Sequence, residues 1–159
     1  MTTKILIMGL PGAGKTTLAN KLVSLIGTSD VLWLNADEVR TKFNDWDFST
    51  EGRIRQSKRM RELADNAATE YTVVDFVAPL IEMRDNFAAD WTIWVDTIES
   101  GRFEDTNKAF IPPTSYDFRI TEKNAEKWAT FIWDHIKCNK RKPVCAVFGI
   151  TPLDKFCFL

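Results

Sequence analysis

The sequence predicts an α/β fold, a doubly wound parallel sheet of about five strands with helices on both faces. Two observations carry this prediction. Short apolar runs alternate with segments whose apolar residues recur at helical spacing. A glycine-rich turn that ends in a lysine joins the first apolar run to the first helical segment, in the order strand, loop, helix. The 159 residues are enough for one domain with its own core.

The strands are predicted from nearly continuous apolar runs, as expected when both faces of a parallel sheet are covered. They are 4–8, 31–34, 71–77 and 91–95, with a more alternating segment at 116–120 that suits an edge strand. Helices are predicted at 17–26 before Gly27, at about 50–70, and from 122 to about 137 with Thr121 as N-cap. Two prolines exclude regular structure from 111–115.

The predicted domain comprises residues 1–138, followed by a C-terminal tail at 139–159. The apolar run 144–148 within that tail fits an added strand, a packed arm or the start of a further domain, and the sequence leaves these three open.

The composition limits the partners. With 21 basic and 22 acidic residues, the net charge of −1 provides no overall field to attract nucleic acid or a membrane. We expect no membrane span and no signal peptide. Three widely spaced cysteines, Cys138, Cys145 and Cys157, favour reduced thiols in a cytoplasmic protein.

Residues 9–17 read GLPGAGKTT and fit the phosphate-binding pattern of the P-loop, G-x-x-x-x-G-K-[ST]. Lys15 can reach the β- and γ-phosphates, and the Thr16 hydroxyl can hold Mg²⁺. The P-loop NTPase fold and a nucleoside triphosphate ligand follow from this match. The residues expected to bind the nucleotide are Gly9, Pro11, Gly12, Ala13, Gly14, Lys15, Thr16 and Thr17.

A P-loop alone leaves open a small-molecule kinase and a switch or motor NTPase, and the chain's size favours the kinase. Asp37 follows the second predicted strand, where a carboxylate can accept the proton of a substrate hydroxyl or hold a metal-bound water. Arg40 lies one helical turn later on the same face. Asp37 could also cap the helix, and both roles are compatible.

Phe48 and Arg53 suit a ligand that combines a flat base with an anionic group. Arg53 opens a run with five Lys or Arg residues between 53 and 61. Most of that run fits a solvated helix face, and nucleic acid is an unfavoured alternative in a slightly acidic chain.

These motifs together resemble the adenylylsulfate kinase (APS kinase) family from residue 4 to about residue 121. The family's loop G-L-S-G-A-G-K-[ST]-T appears as GLPGAGKTT, and its L-D-G-D-x-x-R as LNADEVR at 34–40. Its G-F-S-x-x-D-R-x-x-N-x-R-R resembles DFSTEGRIRQSKR at 47–59, and its I-S-P with a nearby arginine resembles 77–79 with Arg84.

The resemblance implies an ATP- and Mg²⁺-dependent transfer of the γ-phosphoryl group to the 3′-hydroxyl of adenosine 5′-phosphosulfate. Asp37 would be the catalytic carboxylate, Arg40 and Arg53 would hold the phosphosulfate, and Phe48 would stack on adenine. Gln56 stands at the family's substrate-binding Asn. The backbone around Phe76, Val77 and Ala78 would line the substrate pocket.

The chain departs from the family pattern at several positions. Asn35 and Ala36 replace the first Asp and the Gly of D-G-D, and Gly52 replaces the Asp before the substrate arginine. The family's longer lid is here the compact segment 101–110. Within it, Arg102 is matched to the phosphate-contacting arginine and Lys108 to the substrate-binding lysine of the lid.

The leading hypothesis is therefore an adenylylsulfate kinase-like phosphotransferase with a small-molecule nucleotide substrate, either monomeric or homodimeric. The alternatives are a P-loop kinase for another acceptor, such as a polynucleotide 5′-end or a small metabolite, and a nucleotide-binding module with little transfer activity.

Overall fold

A parallel sheet of five strands in the order β2-β3-β1-β4-β5 forms the centre of the structure, as the sequence predicts. The structure is a computed structural model and describes residues 1–139. The predicted tail from residue 140 onward, with Cys145, Cys157 and the run 144–148, lies outside the described residues. The strands are β1 Thr3–Met8, β2 Val31–Asn35, β3 Tyr71–Asp75, β4 Trp91–Val95 and β5 Phe118–Ile120.

Helices cover both faces of the sheet. They are α1 Lys15–Ile26, α2 Ala36–Phe43, α3 Thr50–Asp65, α4 Ile81–Phe87, α5 Glu104–Ala109 and α6 Ala125–Cys138. Successive residues of β1 face opposite sides, so Ile5 and Ile7 are buried in the core beneath α1 and α6. Leu6 and Met8 are buried in the second core, beneath α3 and α4. This double burial explains the unbroken apolar run of β1. Within residues 1–139, no helix combines the length and hydropathy needed to cross a membrane.

Two predicted helix boundaries are wrong. The helix predicted to extend to about residue 70 ends at Asp65, because Glu70 already aligns with the sheet and its carbonyl accepts the Thr3 amide at 2.8 Å. The predicted N-cap Thr121 is not the cap of α6. Asn124 takes that role and accepts the Lys127 amide at 3.2 Å, since the chain first has to leave β5 at Ile120.

Gly52, in the first turn of α3, is required by its surroundings. A Cβ built at this position would overlap both the carboxyl group and the carbonyl oxygen of Asp47. Ser49 caps the helix and its hydroxyl accepts the Gly52 amide at 3.2 Å. The Asp47 carboxylate in turn accepts the Ser49 amide at 2.9 Å. The loop before α3 is thus folded tightly over Gly52.

Gly52→Ala is expected to lower the free energy of unfolding by about 2 kcal/mol, because the added methyl group has to displace a hydrogen-bonded loop. Thermal or urea unfolding measures the loss. The matched control is Glu51→Ala, an exposed neighbour in the same helical turn, which should change stability little. Equal stabilities of the two variants would contradict the close contact at Gly52.

Candidate active site

A cleft of about 360 Å³ opens beside the carboxyl ends of β1, β2 and β3. The P-loop forms one wall, and the residues that follow β2 and β3 form the others. This is where a doubly wound sheet places its ligands. The segment 101–103 before α5 contributes Arg102 and Phe103 to the rim.

The P-loop has the backbone conformation that a phosphate site needs. Gly12 and Gly14 have φ angles of 87° and 104°, which other residues rarely adopt. A side chain at Gly9 would overlap the Val95 carbonyl oxygen. Ala13 is buried and its amide closes the turn onto the Leu10 carbonyl at 3.1 Å. Helix α1 begins directly at Lys15, so its positive end adds to the site.

The side chains of Lys15 and Thr16 extend from the P-loop toward the carboxyl ends of the strands. The Lys15 ammonium donates to the Leu10 carbonyl at 2.9 Å. Burial lowers the pKa of Lys15 to about 8, with the negative charges of Asp75 and Asp37 acting against this shift and Arg102 adding to it. The Thr16 hydroxyl donates to the Asp75 carboxylate at 2.8 Å. Pro11 and Gly12 line the cleft beside them, whereas Thr17 continues into α1.

Asp75 is a site residue that the sequence analysis missed. It ends β3, is only 2% exposed and lines the cleft. Burial raises the pKa of Asp75, opposed by hydrogen bonds from Trp33, Thr16 and Asn35. The signal was present, since an apolar strand that ends in a carboxylate is typical of the metal-supporting strand of P-loop proteins.

Asn35, rather than Asp37, caps helix α2. Its side-chain oxygen accepts the amides of Asp37 and Glu38 at 3.0 and 3.1 Å. The alternative role of Asp37 as N-cap is therefore wrong, because Asp37 already lies in the first helical turn. The Asp37 carboxylate lines the cleft and makes no hydrogen bond or ion pair with any of residues 1–139. It is free to meet a ligand.

The two predicted substrate arginines converge on Phe48. The guanidinium carbons of Arg40 and Arg53 lie 4.6 and 5.7 Å from the centre of its ring, which is 48% exposed. Arg40 also donates to the carbonyls of Asp45 and Asp47. The neighbouring Trp46, which the sequence analysis did not single out, lies 6.4 Å from Phe48 and lines the same cleft. The result is an aromatic surface flanked by buried positive charge.

Arg53 also joins the Phe48 side of the cleft to the compact segment 101–110. Its guanidinium donates to the Phe48 carbonyl at 2.8 Å, and to Asp105 and Thr106 of α5 at 3.2 Å each. The lid is fixed at its other end, where the Asn107 side chain bonds the amide and the carbonyl of Gly101. In this arrangement two residues of α5 accept hydrogen bonds from the Arg53 guanidinium that an anionic ligand would otherwise accept.

The remaining predicted substrate residues divide into two groups. Phe76, Val77 and Ala78 line the cleft, as does Gln56. Gln56 is buried, and its side-chain amide donates to the Ala36 carbonyl at 3.2 Å and accepts from Arg59. Lys108 does not join the cleft in this structure. Its side chain is 75% exposed and pairs with Glu104 one helical turn away. A contact between Lys108 and substrate stays a prediction.

The backbone after β3 is held in an unusual conformation. Ala78 has a φ of 45°, rare for a residue with a side chain. Arg84, the counterpart of the family's nearby arginine, donates to the carbonyls of Ala78, Pro79 and Ile111. These bonds fix the pocket wall at the carboxyl end of β3.

The donor set fits Mg²⁺ bound together with a nucleotide. Among residues 1–139, no group of three acidic, histidine or cysteine side chains could hold a metal by itself. Mg²⁺ is usually held by one or two carboxylates, a hydroxyl, water and the phosphates of the substrate. Thr16 and the neighbouring Asp75 are residues of that kind.

Comparison with known proteins gives one family and several similar folds. The model of the family described as Adenylylsulphate kinase matches residues 1–96. No curated protein sequence matches the chain. The structure of APS kinase CysC from Mycobacterium tuberculosis, in complex with AMPPNP and APS, is 18% identical with a TM-score of 0.69 and covers 86% of this chain and 98% of that chain.

Two further solved structures extend this likeness. The crystal structure of APE1195 is 22% identical, with a TM-score of 0.71, and covers 86% of this chain and 95% of that chain. Shikimate kinase from Acinetobacter baumannii, in complex with shikimate, is 19% identical with a TM-score of 0.59 and covers 88% of this chain and 96% of that chain. At these identities the likeness establishes the P-loop kinase fold.

Proposed function

Because the chain belongs to the adenylylsulphate kinase family, a family of ATP-dependent kinases, we propose that it phosphorylates the 3′-hydroxyl of adenosine 5′-phosphosulfate. The observation that carries this proposal is the placement of the Asp37 carboxylate. It has no partner within residues 1–139 and shares one cleft with Lys15 of the P-loop. A base and a phosphate-binding cation therefore face the same space.

The donor side is provided by the P-loop. The amides of the P-loop and of the first turn of α1 donate hydrogen bonds to the phosphate oxygens. The Lys15 ammonium, which donates to the Leu10 carbonyl in this structure, donates to the phosphates instead when the nucleotide binds. Thr16 would help to hold Mg²⁺ together with the nucleotide, and the ion would supply positive charge that neutralises the phosphates. A phosphate chain beside Lys15 favours its charged form and so acts against the lowering of its pKa by burial.

The acceptor side is provided by Asp37, Phe48 and the two arginines. Phe48 has an exposed ring on which adenine can stack, while Arg40 and Arg53 face the phosphosulfate. Asp37 accepts the proton of the substrate 3′-hydroxyl while the oxygen of that hydroxyl bonds to the γ-phosphorus of ATP. The bond from that phosphorus to the bridging oxygen breaks, and ADP leaves.

A second candidate is a kinase of the same fold that acts on another hydroxyl. The bonds from Arg53 to Asp105 and Thr106 favour it, because they engage the guanidinium that would otherwise hold the phosphosulfate. A small metabolite or a polynucleotide 5′-end would not require this arginine to bind a phosphosulfate group.

The test is an acceptor panel with Mg-ATP in which ADP and phosphorylated product are both followed. Adenosine 5′-phosphosulfate is expected to be phosphorylated with the largest kcat/KM. AMP is the matched control, since it has the adenine and the 3′-hydroxyl but no sulfate. An oligonucleotide with a free 5′-hydroxyl and simple metabolite alcohols complete the panel.

Each failure of this assay has a distinct meaning. Transfer to another acceptor but not to adenosine 5′-phosphosulfate would replace the proposed substrate with that acceptor. ADP release that no acceptor accelerates would instead favour a nucleotide-binding module.

A further inference from the structure

Helix α5 places an acidic residue against one of the two arginines of the cleft. The Asp105 carboxylate forms an ion pair with Nη2 of Arg53 at 3.2 Å. The Arg53 side chain is 8% exposed, whereas that of Asp105 is 68% exposed. Within residues 1–139 this is the one ion pair that Arg53 makes. A buried guanidinium costs free energy unless an opposite charge lies beside it, and Asp105 provides that charge.

The hydrogen bonds of Arg53 leave only part of its guanidinium available to a ligand. Nε donates to the Phe48 carbonyl, and Nη2 donates to both Asp105 and Thr106. Nη1 makes no hydrogen bond with any of residues 1–139. An oxyanion such as phosphate binds a guanidinium most strongly through two parallel N–H groups. Because Nε is engaged by backbone, that mode requires Nη1 together with Nη2, and so requires one of the two α5 residues to leave Nη2.

Asp105 is the one of these two residues that can leave. Thr106 is 6% exposed and lies in the interior beside Arg53. The Asp105 carboxylate accepts no other hydrogen bond from the part of the chain that the structure describes, and it already faces water on one side. Turning it into solvent restores its hydration, whereas moving Thr106 would disturb the packing of α5. An anion that reaches Nη1 therefore competes with Asp105.

The other arginine of the cleft has no such competitor. The Arg40 guanidinium donates to the backbone carbonyls of Asp45 and Asp47 and forms no ion pair with any of residues 1–139. Arg40 and Arg53 lie on the same Phe48 ring, yet only Arg53 has a carboxylate in contact. The two positive charges are therefore unequal toward a ligand.

We propose that Asp105 is a specificity-determining residue, which competes with the anionic group of the acceptor for Nη2 of Arg53. An anionic acceptor has to displace the carboxylate, while an uncharged acceptor leaves the ion pair in place. Asp105 thereby reduces the advantage in affinity that an anionic acceptor has over a neutral one. This inference rests on the proposed function and deepens it, because it names the residue that sets the charge preference of the acceptor site.

The experiment measures affinities for adenosine 5′-phosphosulfate and for adenosine by titration calorimetry, with Mg-AMPPNP present to fill the donor site. Asp105→Ala is expected to bind adenosine 5′-phosphosulfate about fivefold more tightly than the wild type, the largest effect usual for an ion pair with an exposed member. Adenosine lacks the anionic group, so its affinity should not change. Glu104→Ala is the matched control, since Glu104 lies in the same first turn of α5 but pairs with Lys108. It should keep the wild-type affinities.

A double-mutant cycle shows whether the effect passes through Arg53. Once Arg53 is replaced, as in Arg53→Met, the further change Asp105→Ala should alter the affinity for adenosine 5′-phosphosulfate little. A gain of the same size in that background would overturn the proposal. So would an Asp105→Ala protein with wild-type affinity, or one that gains equally toward adenosine.

Inorganic sulfate separates this inference from the identity of the acceptor. Added to protein saturated with Mg-AMPPNP, sulfate should raise the unfolding temperature more for Asp105→Ala than for Glu104→Ala at equal ionic strength. Equal responses of the two variants would overturn the role of Asp105. If no variant binds adenosine 5′-phosphosulfate, the proposed acceptor is overturned, and a stronger sulfate response of Asp105→Ala still supports the competition at Arg53.

Discussion

Lys15→Ala is expected to lower phosphoryl transfer by about 10³-fold, the effect of removing a cation that stabilises transition-state charge in a water-poor site. The ammonium lies at the start of α1, where its one hydrogen bond within residues 1–139 is donated to the Leu10 carbonyl. Alanine is a good helix former, so α1 should persist. The loss is therefore electrostatic, about 4 kcal/mol in activation free energy.

The measurement combines kcat/KM for transfer with the affinity for AMPPNP. Both should fall, since Lys15 contacts phosphates in the ground state and in the transition state. Lys21→Ala removes an exposed lysine from the same helix and should leave both quantities near the wild-type values. Transfer by Lys15→Ala at the Lys21→Ala rate would show that the P-loop is not the donor site.

Asp37→Asn is expected to lower kcat by about 10²-fold or more while KM for the acceptor changes little. The substitution keeps the size of the side chain and retains the backbone amide that Asn35 accepts. Because the carboxylate makes no bond within residues 1–139, its loss should leave the fold intact. The substitution removes the proton acceptor together with its negative charge, which also acts on the pKa of Lys15.

Glu38→Gln is the matched control for Asp37→Asn. Glu38 is the adjacent exposed acid in the same turn of α2, and its amide is capped by the same Asn35 oxygen. Steady-state kinetics and thermal unfolding of both variants separate catalysis from stability. Normal turnover by a folded Asp37→Asn enzyme would remove Asp37 from the mechanism.

Much of the fold could be predicted because the signals are local. The alternation of apolar runs and helical spacing identifies β1 to β5, since burial on both faces imposes that pattern on each strand separately. The GLPGAGKTT loop is equally local, because its glycine conformations and the helix that follows are encoded within nine consecutive residues. Boundaries were less predictable where sheet register decides them, as at Glu70 and Ile120.

The candidate site also contains residues that local sequence patterns predict and contacts that only the fold creates. Asp37, Arg40, Phe48 and Arg53 follow from short motifs, and the structure brings them to one cleft. Lys108 is predicted only from its place in the compact segment 101–110, and in the structure it pairs with Glu104 outside the cleft. The bonds from Arg53 to α5 join residues more than fifty positions apart, and no local pattern contains them.

By itself, the sequence determined the P-loop, the parallel α/β order and a carboxylate after β2, because each depends on neighbouring residues. Only the tertiary structure decided which acid lies beside Thr16 of the P-loop. Asn35 and Asp75 are forty residues apart and meet because β2 and β3 are adjacent in the sheet and share a register. Strand order brings together side chains that are distant along the chain, and no local pattern in the sequence contains the hydrogen bonds that result.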